Sequence, residues 1–351
     1  MSERILAARA LVLATAVALG AAACESKPSD DGQNPDQYGY AQPYSAPSTP
    51  NNLYPTGKAS NGLVPCYDKT IDDAVQSVDH YRTAEPIHLT ADPKTGNAKG
   101  DPGPLPPKVL SHVLGAIVEV DSPDQKGSGF LIAPNLVLTA AHVPDSIGAT
   151  VVDHQGHKSA IVDGCYLRQE NGVAADPNAE NSTDIDVAVL RLKTPIGKGI
   201  LKMASTVNRG DWITLVNAQE DSTAKNPSIY NGLYLSAKDQ NITPEIFTGI
   251  VPNGSTDPNT YILESGASGG VGVNREDEVV FMSTAGAPNP DTPGDLDTES
   301  GAQRNLDWLS AHYNVFTPGG LADNLPPDWY VYPAEGMSIR TMNEAIASSR
   351  Y

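Results

Sequence analysis

Gly127-Ser128-Gly129-Phe130-Leu131-Ile132, a Pro134-Asn135 turn, then Val137-Leu138-Thr139-Ala140-Ala141-His142-Val143: two short apolar runs flank a turn signal, and the second ends in a histidine. Runs of this length bounded by Gly, Pro and Asn read as strands. The texture continues outward through Gly115 to Val120, Gly129 to Ala133, Leu136 to Ala140, Val187 to Leu192, Trp212 to Val216, Tyr261 to Leu263 and Glu278 to Met282. Gly, Pro, Asn and Asp separate these runs, the pattern of an all-β antiparallel barrel or sandwich from about Lys108 to Phe316. That length suffices for one large core or two small barrels. Helical spacing shows in three places. In Thr70 to Arg82, Ile71, Val75, Val78 and Tyr81 share a face, and Thr70 and Asp73 suit the start. In Gln303 to Tyr313, Leu306, Leu309 and Tyr313 share a face. Near the end, Ile339, Met342 and Ile346 suggest one short helix.

The whole chain has 351 residues, 39% of them hydrophobic and 19% charged, with Gly 31 and Pro 29. This excludes collagen, coiled coil and a polytopic membrane protein and leaves room for loop-rich flanks. A net charge of −19 repels phosphate backbones and argues against nucleic acid as a partner. At the start, Arg4 and Arg9 precede an uncharged run from Ala10 to Ala23, too short to span a bilayer and suited to a signal peptide. Ala21-Ala22-Ala23-Cys24 resembles a bacterial lipobox, although Ala21 is a less usual residue there than Leu. The resemblance implies cleavage before Cys24 and a lipid anchor to the membrane on its thiol; the alternative is ordinary cleavage after Ala23 and secretion. Both readings are extracytoplasmic. In that oxidising setting Cys66 and Cys165 form an even pair, for which one disulfide is expected, the alternative being two buried thiols. Two cysteines do not make a zinc site, and no His pair with metal spacing accompanies them, so no metal is expected. The expected organisation is a leader over 1–23, a Tyr-punctuated disordered tether over 24–62, an extension with one helix over 63–107, the main domain over 108–317, and a C-terminal extension with one short helix over 318–351.

Three short segments carry the chemistry. Thr-Ala-Ala-His142, following Gly-Ser-Gly-Phe and an apolar strand, resembles the general-base motif of the trypsin-like, chymotrypsin-fold serine proteases, bacterial secreted members especially. Thr183-Asp184-Ile185-Asp186-Val187-Ala188-Val189-Leu190 resembles the family's acid segment, with Asp186 in register and Asp184 as fallback. Ser265-Gly266-Ala267-Ser268-Gly269-Gly270 resembles the family's nucleophile loop, with Ser268 in the nucleophile position. Each segment alone suits a structural turn or a solvated strand end. The order His142, Asp186, Ser268 is that of chymotrypsin. The resemblance implies two six-stranded antiparallel Greek-key β-barrels closed by a C-terminal helix, placed at Gln303–Tyr313, and a serine endopeptidase acting on protein or peptide through an acyl-enzyme.

In such an enzyme His142 takes the Ser268 proton, Asp186 fixes the imidazole tautomer, and the amides of Gly266 and Ser268 form the oxyanion hole. Neither a metal nor an organic cofactor is implied. Ile262 would line the pocket floor, and Ser283-Thr284-Ala285 would pair with substrate backbone. Ile262 offers no carboxylate for a cation, so a small or medium apolar side chain is expected before the scissile bond, with Glu264 nearby as the opposing feature. Two residues depart from the family: Ala267 replaces an Asp or Asn, and Val271 replaces a Pro. These departures keep open a catalytically degenerate binding module. The match of Gly266 to Gly270 to G-x-S-x-G also raises an α/β-hydrolase, with an acid from Asp291 to Asp297 and His312. A strand after Gly269-Gly270-Val271-Gly272, where that fold needs a helix, argues against it.

Overall fold

The structure is a computed structural model that describes residues 63–71, 85–94, 98–122, 126–144, 147–169, 186–218, 224–235, 245–252, 266–286, 309–310, 313, 315–316, 329–349 and 351. All of these lie in one compact unit, Leu53–Tyr351. In chain order the strands are β1 (Val64–Ile71), β2 (Ile87–His88), β3 (Ile117–Asp121), β4 (Lys126–Ala133), β5 (Leu136–Thr139), β6 (Thr150–Asp153), β7 (Lys158–Gln169) and β8 (Ala188–Leu192). They continue as β9 (Lys202–Met203), β10 (Trp212–Asn217), β11 (Ser228–Leu235), β12 (Glu245–Pro252), β13 (Val271–Val273), β14 (Glu278–Gly286), β15 (Val315–Phe316) and β16 (Trp329–Ser338). Among the described residues, helices α1 (Pro107–Ala116) and α2 (Ile339–Ser348) flank them.

Strands β3 to β8 close into a six-stranded barrel, ordered β7-β6-β3-β4-β5-β8 with β8 returning to β7. Every pairing in it is antiparallel. The second barrel runs β13-β10-β11-β12-β16-β14, with β14 returning to β13, again all antiparallel. Counting each barrel's strands from its first, both have the cyclic order one-two-three-six-five-four. This repeated Greek-key connectivity is the chymotrypsin-like fold. Closure also removes the exposed edges that an open sheet would present. β1 lies parallel on β7 and β9 lies parallel on β14, both outside the closed rings.

Side-chain alternation explains why the strands read as unbroken apolar runs. On β8, Ala188 and Leu190 point into the first barrel with Val118, Leu131 and Val137, while Val189 points the other way. Val189 joins Ile117, Phe130 and Leu138 in a core shared with Val216, Val271, Val273 and Met282 of the second barrel. Strands at the seam are therefore buried on both faces and lose the polar alternation of a surface sheet. α2 adds Met342 and Ala345 to that seam, with Ser338 accepting from the Thr341 amide at its N-cap.

Three elements differ from the sequence reading. Thr70 and Ile71, expected to begin a helix, end strand β1; residues 72–82 lie outside those described. The run Pro107–Ala116 is a helix with proline in its first turn, where a missing N–H costs nothing. Past residue 317, expected to leave the main domain, β16 completes the second barrel and α2 is the C-terminal helix. In the Gln303–Tyr313 segment the described residues Leu309, Ser310 and Tyr313 are helical. The disulfide forms between Cys66 on β1 and Cys165 on β7, whose Cα atoms are 4.8 Å apart.

Candidate active site

Strand register brings the candidate acid to the candidate base. Thr139 at the end of β5 pairs with Ala188 at the start of β8. Asp186, two residues before Ala188, thus lies beside the turn that carries His142, three residues past Thr139. That turn is closed by the Val143 amide donating to Ala140 O at 3.2 Å. Asp186 then holds the histidine twice: Oδ1 accepts from the His142 amide at 3.0 Å, and Oδ2 is 2.6 Å from Nδ1. With the Nδ1 proton directed at Asp186, the lone pair is left on Nε2. Burial pushes the imidazole pKa down, but the Asp186 charge and the hydrogen bond to it outweigh burial, and the value lies above the ordinary 6.5.

The candidate nucleophile sits on the loop between residues 266 and 270, which is tied to both barrels. Ser283 of β14 accepts from the Gly269 amide at 2.7 Å and donates its own amide to Gly270 O at 2.9 Å. Its buried hydroxyl donates to Ala267 O at 2.7 Å. On the other side the Ser128 amide of β4 donates to Ser268 O at 2.7 Å, and Ser128 O accepts from Thr139 Oγ1 at 2.6 Å. Gly269 has φ +84°, and a Cβ there would collide with Ser128 O and Thr139 Oγ1, so only glycine lets the loop approach β4 and β5 this closely. The Ser268 loop and the His142 turn therefore share the Ser128–Thr139 contact at the seam of the barrels. The Ser268 hydroxyl donates to Thr284 O at 2.8 Å. Among the described residues, neither the Gly266 nor the Ser268 amide donates to a protein acceptor.

Of the expected substrate strand, Ser283 is spent on the nucleophile loop through its amide, carbonyl and hydroxyl. Thr284 presents its carbonyl to Ser268. Ala285 pairs with Glu335 of β16 after an irregularity in register. Cys24, Asp184, Ile262, Glu264 and His312 lie outside the described residues. Among those described, no group of three His, Cys, Asp or Glu side chains gathers to hold a metal, and no helix is long and apolar enough to cross a membrane. The sequence reading did not assign roles to the Ser128 and Thr139 hydroxyls. The signal for Ser128 is its place between Gly127 and Gly129 ahead of an apolar run.

Residues 127–280 match the trypsin-like peptidase domain. That stretch contains His142, Asp186 and Ser268. No curated protein sequence matches the chain. Among solved structures, the Rv3671c protease from M. tuberculosis in its active form is 14% identical, covering 76% of this chain and 92% of its own at a TM-score of 0.42. A Glu endopeptidase in complex with MPD is 15% identical, covering 74% and 97% at a TM-score of 0.41. Kallikrein-related peptidase 10 complexed with Zn2+ is 17% identical, covering 67% and 97% at 0.40. At these identities and scores the fold rests on the strand order and on the trypsin-like peptidase domain.

Proposed function

We propose that this chain is an extracytoplasmic serine endopeptidase with His142 as general base, Asp186 as its orienting acid and Ser268 as nucleophile. The observation that carries the reading is the double hold of Asp186 on the His142 amide and Nδ1, which sets the tautomer a general base needs. Ser268 leaves its bond to Thr284 O, gives its proton to Nε2 and attacks the scissile carbonyl. The resulting oxyanion is received by the Gly266 and Ser268 amides; losing one such donor costs about 3–4 kcal/mol in comparable sites. His142 then protonates the leaving amine, and water hydrolyses the acyl-enzyme by the same route in reverse. The expected leader over 1–23, cleaved before a lipid-bearing Cys24, supports an extracytoplasmic lipoprotein, and the Cys66–Cys165 disulfide suits that compartment.

Labelling with a fluorophosphonate tests this. The wild type is expected to label, and Ser268→Ala and His142→Ala to stay blank or nearly so. Labelling unaffected by Ser268→Ala would overturn the assignment. The bond from the Ser268 hydroxyl to Thr284 O favours a second reading, a protease-fold binding lipoprotein with a disengaged serine. A folded wild type that never labels and hydrolyses no peptide would select it.

A further inference from the structure

The oxyanion loop is held by two buried serines, one from each side. Ala267 supplies no polar side chain to anchor its own loop. The two peptide groups flanking its Cα are instead fixed by their carbonyls. Ala267 O takes the Ser283 hydroxyl at 2.7 Å, and Gly266 O lies 2.8 Å from the Ser128 hydroxyl. Ser128 is fully buried in β4, a strand of the other barrel. Its oxygen also lies 2.9 Å from Ala218 O and accepts from the Ala218 amide at 2.8 Å. A serine hydroxyl has one proton and two lone pairs. The Ala218 amide fills a lone pair, and the proton serves the Gly266 and Ala218 carbonyls. A polarised chain therefore runs from the Ala218 N–H through Ser128 to Gly266 O.

Gly266 has φ +94° and no side chain, so nothing intrinsic to it fixes the peptide plane that follows. Without the Ser128 hydroxyl, Gly266 O would lose a buried donor, and the plane would be free to turn toward another partner. From these contacts we infer that Ser128 is a positioning residue that holds the Gly266–Ser268 segment in the conformation that directs its amides at the oxyanion. This inference rests on the endopeptidase reading above. The Ser128 hydroxyl meets backbone groups of Gly266 and Ala218 and not the Ser268 hydroxyl, so its effect belongs to the transition state.

The test compares Ser128→Ala with the wild-type chain for kcat, KM, thermal midpoint and inhibition by a peptide boronate, whose tetrahedral adduct occupies the oxyanion site. Ser128→Ala is expected to lower kcat about 10- to 100-fold and to weaken the boronate by a similar factor. KM should stay within about twofold. Ser128→Thr and Ser128→Val form an isosteric pair in which any packing penalty is shared, and only the hydroxyl differs. Thr is expected to outperform Val by the same 10- to 100-fold, by about that order. A folded Ser128→Ala with kcat near wild type, or equal kcat in the Thr and Val variants, overturns the role of Ser128 alone. A wild type that neither labels nor hydrolyses overturns the endopeptidase reading and this role with it.

Discussion

His142 is subject to two opposed effects: burial favours the neutral ring, and Asp186 favours the charged one. Asp186 prevails, so the His142 ring is protonated at a higher pH than a free imidazole would be. As the proposed general base, His142 must be neutral, so kcat/KM should fall toward acid pH along a one-proton limb whose apparent pKa lies above 6.5. Stability runs the other way. A pKa raised on folding stabilises fully below the unfolded value, and the benefit is lost as pH rises through the folded value. The protein should therefore gain from His142 protonation in the range where it loses activity. A pH–rate profile checks the first half, and thermal midpoints of wild type against His142→Ala across the same range check the second. An acid limb below 6.5 would show that Asp186 does not govern the ring.

At the scale of elements, what was legible was what adjacent residues decide. The β4–β5 hairpin declares itself through Pro134-Asn135, and the meeting of Asp186 with His142 follows from β5 and β8 being neighbours in one barrel. The Ser283 hydroxyl reaches Ala267 O only 16 residues away, but the Ser128 hydroxyl meets Gly266 O from 138 residues away, and no local pattern reveals that partner. β16 was hidden for a different reason: Pro333 and Gly336 interrupt Trp329–Ser338, and both residues argue against a central strand. Tertiary pairing overrides them, for β16 hydrogen-bonds β12 on one side and β14 on the other. A chain ending at Phe316 would lack β16 and α2, leaving β12 and β14 with open edges and taking Met337, Met342 and Ala345 from the seam. Such a truncation is expected to be insoluble or to lose its cooperative transition. A soluble product melting with the wild type would show that the second barrel closes without β16.

Across the whole molecule, the described residues before the first barrel, from Leu63 on, behave as a strap. Its early part is fixed to the first barrel by β1 on β7 and the Cys66–Cys165 disulfide. Its later part reaches the second barrel, where Arg209 donates to Glu85 O and Asn231 of β11 donates to Asp101 at 3.3 Å, and β2 pairs with β15 in a separate two-stranded sheet. Arg275 donates to the carbonyls of Pro102, Gly103 and Pro104. α1 then runs directly into β3, and Val113 and Ala116 are buried in the seam. In trypsin-like zymogens a new N-terminal ammonium enters the protein and pairs with the Asp before the nucleophile. Here that position is Ala267, which has no charge to offer a buried cation. With the 266–270 loop held by Ser128 and Ser283 instead, cutting the strap gains nothing and removes contacts. We therefore expect Glu25–Tyr351, made without its leader, to turn over peptide at its intact mass. Reducing the disulfide should lower the thermal midpoint, because a loop of 99 residues is then released, worth up to about 4–5 kcal/mol. Mass spectrometry beside the activity assay decides the point: turnover that begins only after cleavage between Asp92 and Leu110 would show that the strap restrains the enzyme.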